Sequence, residues 1–172
     1  IEYTAVFTPE YINYSVIFKD DNGDTLLSKQ YHYGDTIELP AIPTKSPDNT
    51  FTYVFKSWDN DVESTCIGNV EYIAVYASTY IDYIVKFLNY DGSVLSENQY
   101  HYGDTIVAPK TPQKQADNTY TYNFSGWDNS ATVCNGNMTF VALFTPEYIE
   151  YKIVFKNYDN AILSESYYHY GD

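Results

Sequence analysis

The chain has 172 residues, with nine Lys, no Arg and 23 Asp plus Glu, for a net charge of −14. So acidic a balance excludes nucleic acid as a partner, because phosphate binding draws on clustered Lys and Arg, and it excludes docking on anionic lipid. No run approaches the ~20 apolar residues of a membrane span, so no membrane insertion is expected.

In chain order, residues Ile1–Asn13 have no partner of their own type until much later. Glu2-Tyr-Thr-Ala-Val-Phe7 reappears as Glu71-Tyr-Ile-Ala-Val-Tyr76 and again as Thr139-Phe-Val-Ala-Leu-Phe144. At Tyr14 a unit begins that is copied at a fixed interval. Its tetrapeptide His32-Tyr33-Gly34-Asp35 returns as His101-Tyr102-Gly103-Asp104 and as His169–Asp172, 69 and then 68 residues on. Such a period signals one supersecondary unit repeated in a row. The register defines residues 1–13 as the last strand of a preceding repeat with its connector, 14–82 and 83–150 as complete repeats, and 151–172 as the opening hairpin of a following repeat. Since neither end falls on a unit boundary and no capping sequence is present, the chain is expected to be part of a longer array. A fold permuted relative to this register is the alternative.

Each unit is expected to carry four short strands. The first alternates Tyr14, Val16 and Phe18 with Ser15, Ile17 and Lys19, the period of a half-buried strand. It ends at Asp21-Asn22-Gly23-Asp24, which becomes Tyr90-Asp91-Gly92-Ser93 and Tyr158-Asp159-Asn160-Ala161. Gly and Asn both tolerate positive φ, so this is a hairpin turn. A calcium loop at Asp20–Asp24 is disfavoured, because the other copies lose most of the carboxylates. The second strand is expected over Thr25–Tyr33 and Val94–Tyr102, closed by His-Tyr-Gly-Asp with its Gly in the turn. Pro40 and Pro43, like Pro109 and Pro112, then suit an extended crossover better than a helix.

The third strand, Phe51–Phe55 or Tyr120–Phe124, sets three aromatics on one face. Trp58 and Trp127 fall out of phase with them, and a bulge at Lys56-Ser57 or Ser125-Gly126 would return each Trp to the core. The fourth strand is expected over Val70–Tyr76 or Met138–Phe144, with Ala74 and Ala142 as small residues on a bulky face. About six residues, Ala77–Asp82 or Thr145–Glu150, would then join one unit to the next. They lack the Ser and Gly of a flexible linker, so a semi-rigid array is expected.

Two features invite a chemical reading. Cys66 and Cys134 hold the same position in successive repeats, too far apart for an intrachain bridge, which needs Cα atoms within ~7 Å. Either they are simple semi-buried thiols or they bridge neighbouring chains. No set of four clustered ligands suggests zinc, and no cofactor is expected. The three His always stand in His-Tyr-Gly-Asp, with Asp35 and Asp104 nearby but no recurring Ser or Cys constellation at a strand-to-helix turn, so His32, His101 and their turns are expected to serve folding rather than catalysis. The 21 Tyr exceed what two small cores can bury. Tyr11, Tyr80 and Tyr148, in the connectors, either cover joints between neighbouring repeats or present recognition surface. Asn13-Tyr-Ser15 and Asn137-Met-Thr139 fit the glycosylation acceptor pattern, which is too short to build on.

The ordered set is specific: a Tyr-x-Val-x-Phe strand, a Gly hairpin, Tyr-Gly-Asp, spaced prolines, an aromatic strand ending in Trp, a Gly before the last strand and an Ala inside it. Taken together it resembles the Listeria–Bacteroides repeat family, the B-repeat of internalin-type surface proteins, over essentially the whole chain. The resemblance implies a mainly β, β-grasp-like unit with little or no helix, in secreted or wall-attached bacterial proteins where such repeats act as stalks, spacers and adhesion modules. This chain departs from the pattern by inserting Asp48-Asn49-Thr50 and Asp117-Asn118-Thr119 and by its Cys residues. The function expected is a non-enzymatic structural segment of an extracellular surface or fibre protein. Its partners would be neighbouring repeats, or other copies of the chain pairing laterally through edge strands. The alternative is an adhesin module that binds a protein or glycan through exposed Tyr.

Overall fold

A computed structural model describes residues 1–172. It is all β and falls into two compact units, Ile1–Tyr80 and Ile81–Asp172. In the first unit the strands are β1 (Tyr14–Lys19), β2 (Thr25–Tyr31), β3 (Phe51–Trp58) and β4 (Val70–Tyr80), in the sheet order β2-β1-β4-β3. In the second, β5 (Tyr83–Leu88), β6 (Val94–Tyr100), β7 (Tyr120–Trp127) and β8 (Met138–Tyr148) repeat that order as β6-β5-β8-β7. The second unit also carries the hairpin β9 (Tyr151–Lys156) and β10 (Ile162–Tyr168). Each four-stranded sheet is thus drawn from one repeat, as a β-grasp-like unit requires.

Within each sheet the first and fourth strands run parallel, Val16 beside Val70 and Val85 beside Met138, and the outer pairs are antiparallel. The fourth strand divides its partners along its length. Val70–Ile73 pair with β1, and Ala74–Tyr80 pair with β3. Beyond Ala74 the strand therefore has a partner on one side alone. This explains a correction to the expected boundaries. The fourth strand continues through residues assigned to the connector, ending at Tyr80 and Tyr148, and leaves two residues before the next strand. Pro146 is admissible in that extension because an edge tolerates a residue without an N–H. The second strand, conversely, stops at Tyr31 and Tyr100, two residues short of expectation, because His-Tyr-Gly-Asp is already a turn.

The alternation in β1 buries Val16 and Phe18 almost completely, and Val85 and Phe87 do the same in β5. The hairpin after β1 needs positive φ, supplied by Gly23 (91°), Gly92 (82°) and, in the third copy, Asn160 (67°). Asp20 spends its Oδ1 within this turn, on the backbone N–H of Asn22 and of Asp24, each at 2.9 Å. The expected bulges are present, between Phe55 and Ser57 and between Phe124 and Gly126. They turn Trp58 and Trp127 onto the core, each 4.8 Å edge-on from Phe18 or Phe87.

No helix covers the apolar face of either sheet. Irregular segments from 32–50 and 59–69 close it instead and contribute Ile37, Cys66 and Val62 to the first core. That core is otherwise Val16, Phe18, Tyr31 and Tyr72, with Phe18 stacked 5.0 Å from Tyr72. In the second unit Phe87 stacks 4.7 Å from Phe140. Ala74 and Ala142 are buried at the strand crossing, where Trp58 and Trp127 are their cross-strand neighbours. A domain of this size has little hydrophobic surplus, so truncating a central ring should be felt strongly. Phe87→Ala is expected to lower the stability of the second repeat by about 3–5 kcal/mol. Guanidinium denaturation followed by Trp fluorescence checks this, and a loss under ~1 kcal/mol would show that Phe87 is not central.

Candidate functional site

The most strongly recurring constellation is the His-Tyr-Gly-Asp turn and the segment on which it sits. Asp35 N–H donates to the His32 carbonyl at 3.2 Å, and the Asp35 carboxylate accepts the His32 N–H at 2.7 Å. Asp104 and Asp172 repeat both bonds with His101 and His169. The turn requires positive φ at Gly34 (88°) and Gly103 (87°). The glycine N–H then faces the Cys loop: Gly34 N–H donates to the Cys66 carbonyl at 2.8 Å, and Cys66 N–H donates to the Asp35 carbonyl at 2.8 Å. Ile37 N–H continues the ladder to Ser64 at 3.1 Å. Gly103, Cys134, Asp104 and Ile106 reproduce the arrangement. The motif is therefore a seat that anchors one irregular cover of the core to the other.

The cysteines lie beneath this ladder, 0% and 1% exposed, deeper than the semi-buried setting expected. Each Sγ faces a glycine carbonyl, Gly68 at 3.6 Å and Gly136 at 3.4 Å. A bridge between chains needs an exposed sulfur, which neither residue presents in the folded unit. The His side chains are half-exposed, with Nδ1 3.5 Å from Asp35 in the first turn and 3.6 Å from Asp104 and Asp172 in the others. His101 also places Nε2 3.3 Å from Asp82. The motif's Tyr33, Tyr102 and Tyr170 face outward.

Of the three connector tyrosines, Tyr80 and Tyr148 are the last residues of β4 and β8, and Tyr11 lies before β1. All three rings are more than half exposed, yet each has an aromatic neighbour. Tyr11 lies 4.6 Å from His32, Tyr80 4.5 Å from Phe51, and Tyr148 4.7 Å from Tyr120 and 4.9 Å from His169.

Six polar residues outside the expected set, three in each repeat, share the structural work. Asp59 and Asp128, after each Trp, extend the sheet past the bulge: the Asp59 N–H donates to the Ile73 carbonyl at 2.8 Å, and its carboxylate accepts the Ile73 N–H at 2.8 Å. Asn69 and Asn137 accept the N–H of Ser15 and Ile84 at 2.7 and 2.8 Å, closing the edge of the parallel ladder. Asp48 and Asp117 hold the turns that lead into β3 and β7. Asp48 accepts the N–H groups of Thr50 and Phe51, both at 2.7 Å, and the Tyr53 hydroxyl at 2.6 Å. Asp117 does the same with Thr119, Tyr120 and Tyr122. Lys45 stands over Tyr53 and pairs with Asp21, and Lys114 stands 3.6 Å over Tyr122. The Tyr hydroxyl and the backbone donors hold Asp48 and Asp117 below the ordinary carboxylate range, and the same bonds push Tyr53 and Tyr122 up. The signal that could have found these residues is their recurrence at equal offsets in both repeats.

Comparison with known proteins finds a matching repeat family. The sequence model of the Listeria-Bacteroides repeat domain matches residues 14–72 and 83–147. A provisionally named Gly-rich membrane protein of Evansella cellulosilytica is 29% identical over 169 residues, covering 88% of this chain and 18% of its own length. A second provisionally named membrane protein of that organism is 26% identical over 140 residues, covering 75% of this chain and 20% of its own. The chain thus spans about a fifth of the length of these relatives. A solved structure of streptococcal high identity repeats in tandem, domains 3–4 from a cell surface protein, aligns at 19% identity and a TM-score of 0.38. That alignment covers 78% of this chain and 99% of that one.

The carboxylate turns set the pH response. An Asp whose folded pKa is lowered contributes stability that is present above its unfolded value and lost as pH falls through the folded one. A Tyr whose folded pKa is raised contributes stability that is present below its unfolded value and lost as pH rises. Stability is therefore expected to fall below about pH 4 and above about pH 10. Asp48→Asn with Asp117→Asn should flatten the acid arm, as followed by urea midpoints against pH. An unchanged acid arm in the double variant would reject the assignment.

Proposed function

The chain belongs to the Listeria–Bacteroides repeat domain family, and on that premise we propose that its repeats form a non-enzymatic stalk or spacer of a protein displayed outside a bacterial cell. The observation that carries this reading is how the recurring polar groups are spent. Asp35, Asp48, Asp59 and Asn69, and their counterparts Asp104, Asp117, Asp128 and Asn137, all accept backbone N–H groups. A general acid or base must be within reach of a reacting group. These side chains hold loops and strand ends instead, each giving a backbone N–H a partner inside its own repeat. A chain made of small units closed in this way does mechanical and steric work: it sets a distance.

The acidic surface fits an exposed polymer whose copies repel one another and stay soluble. Membership of the family supports a cell-surface location. A second reading, recognition of a protein or glycan, draws on Tyr33, Tyr102 and Tyr170, which present a ring outward at the same corner of successive repeats.

The stalk reading predicts that maximum dimension, measured by small-angle X-ray scattering, grows by a constant increment as repeats are added. The intact protein should be labelled by antibody on unbroken cells. A particle whose dimension does not rise with repeat number, or a protein reached by antibody only after lysis, would overturn it. A glycan and receptor screen decides the second reading, with loss of binding in a Tyr33→Ser, Tyr102→Ser variant as its supporting outcome.

A further inference from the structure

The inserted Asp117-Asn118-Thr119 turn lies where the chain leaves one repeat for the next. Asp117 is fully engaged: its carboxylate takes the Thr119 and Tyr120 N–H groups and the Tyr122 hydroxyl, and its own N–H donates to the Tyr120 carbonyl at 3.1 Å. This closed turn leaves the next two carbonyls as acceptors facing the junction. Both are taken by the following segment. The Tyr151 hydroxyl, on the first residue of β9, donates to the Asn118 carbonyl at 2.8 Å. Ile149 N–H, in the two-residue junction, donates to the Thr119 carbonyl at 2.9 Å.

The rings at this corner act on the same hairpin. Tyr148 lies between Tyr120 (4.7 Å) and His169 (4.9 Å). Tyr151 pairs with Tyr168 across the open end of the hairpin, one residue before His169. The corner therefore touches both legs of β9–β10 at the end where they part. One leg is held by a hydroxyl-to-carbonyl bond and the other by ring contact.

We propose that the Asp117-Asn118-Thr119 insertion is a docking corner that clasps the opening hairpin of the following repeat, with Asn118 and Thr119 as acceptors and Tyr148 as the ring between the two repeats. The turn presents these two carbonyls to the junction. The first unit supplies an independent instance of the ring contact. Tyr11 and His32 occupy the same register positions as Tyr148 and His169, and their rings are 4.6 Å apart. Asp48 closes the same kind of turn with Thr50, Phe51 and Tyr53. The partner fitted by this surface is a neighbouring repeat that begins with Tyr and carries His-Tyr-Gly-Asp after its second strand. The proposal rests on the stalk reading for its purpose, since a clasped junction is what would let a chain of small units hold a length.

The test is amide hydrogen exchange on the 172-residue chain, comparing wild type with Tyr151→Phe and Tyr148→Ala. Tyr151→Phe keeps the ring and removes only the hydroxyl. It is expected to speed exchange of the β9–β10 amides by roughly three- to tenfold, the loss of one ordinary hydrogen bond, while β5–β8 stay protected. Tyr148→Ala should speed the same amides further. Unchanged β9–β10 protection in Tyr151→Phe overturns the clasp, and so does a hairpin already unprotected in wild type. If Tyr148→Ala loosens β8 itself, Tyr151→Phe alone decides. A failed clasp with length still growing by repeat number rejects this inference and leaves the stalk standing. An intact clasp without that growth does the reverse.

Discussion

Everything in these units follows from a sheet that must close its apolar face without a helix. A helix would bring its own backbone hydrogen bonds. Irregular segments do not, and each buried N–H or C=O they carry needs a partner. The seat between the His-Tyr-Gly-Asp turn and the Cys loop supplies those partners, with Gly34, Asp35, Ile37, Ser64 and Cys66 bonded across two covers that lie far apart in sequence. Glycine is needed for the turn and Asp to cap it. A small apolar residue is needed at position 66, because its side chain is the point where the cover meets the core.

The same constraint sets the balance between aromatic and polar residues. With roughly 69 residues per repeat, the core gains area by using rings, and Phe18, Trp58 and Tyr72 or Phe87, Trp127 and Phe140 interlock in both units. Exposed ion pairs such as Lys19–Glu71, Lys86–Glu97 and Lys152–Glu165 bind one strand to the next at 2.8–3.0 Å, but pairs of this kind contribute little each. The specificity lies in side-chain-to-backbone bonds that recur in both copies.

Those bonds also mark how far the residues alone could be understood. Local periodicity was enough for Val16 and Phe18, for the Gly hairpin, and for the bulge that turns Trp58 inward, because each depends on neighbours within a few positions. The end of β4 was not legible. Ala77–Tyr80 and Thr145–Tyr148 have no apolar alternation of their own, and only pairing with β3 and β7 makes them strand. Asn69 reaches back 54 residues to Ser15 and Asp59 reaches 14 to Ile73. Separations of that kind leave no periodic trace, although the repetition of Asn and Asp at equal offsets records them. The recurrence of Asp-Asn-Thr before both aromatic strands was visible, yet its bond to the Tyr151 hydroxyl, 33 residues on, was not.

The buried thiols have a meaning apart from their packing. Each complete repeat holds one free cysteine, sealed beneath hydrogen bonds that join the two covers of its core. No alkylating reagent can reach the sulfur until those covers part, and parting them is the opening of that repeat. Every repeat therefore carries its own chemical tension gauge: a stretched chain would record, residue by residue, which of its units had yielded and which had held.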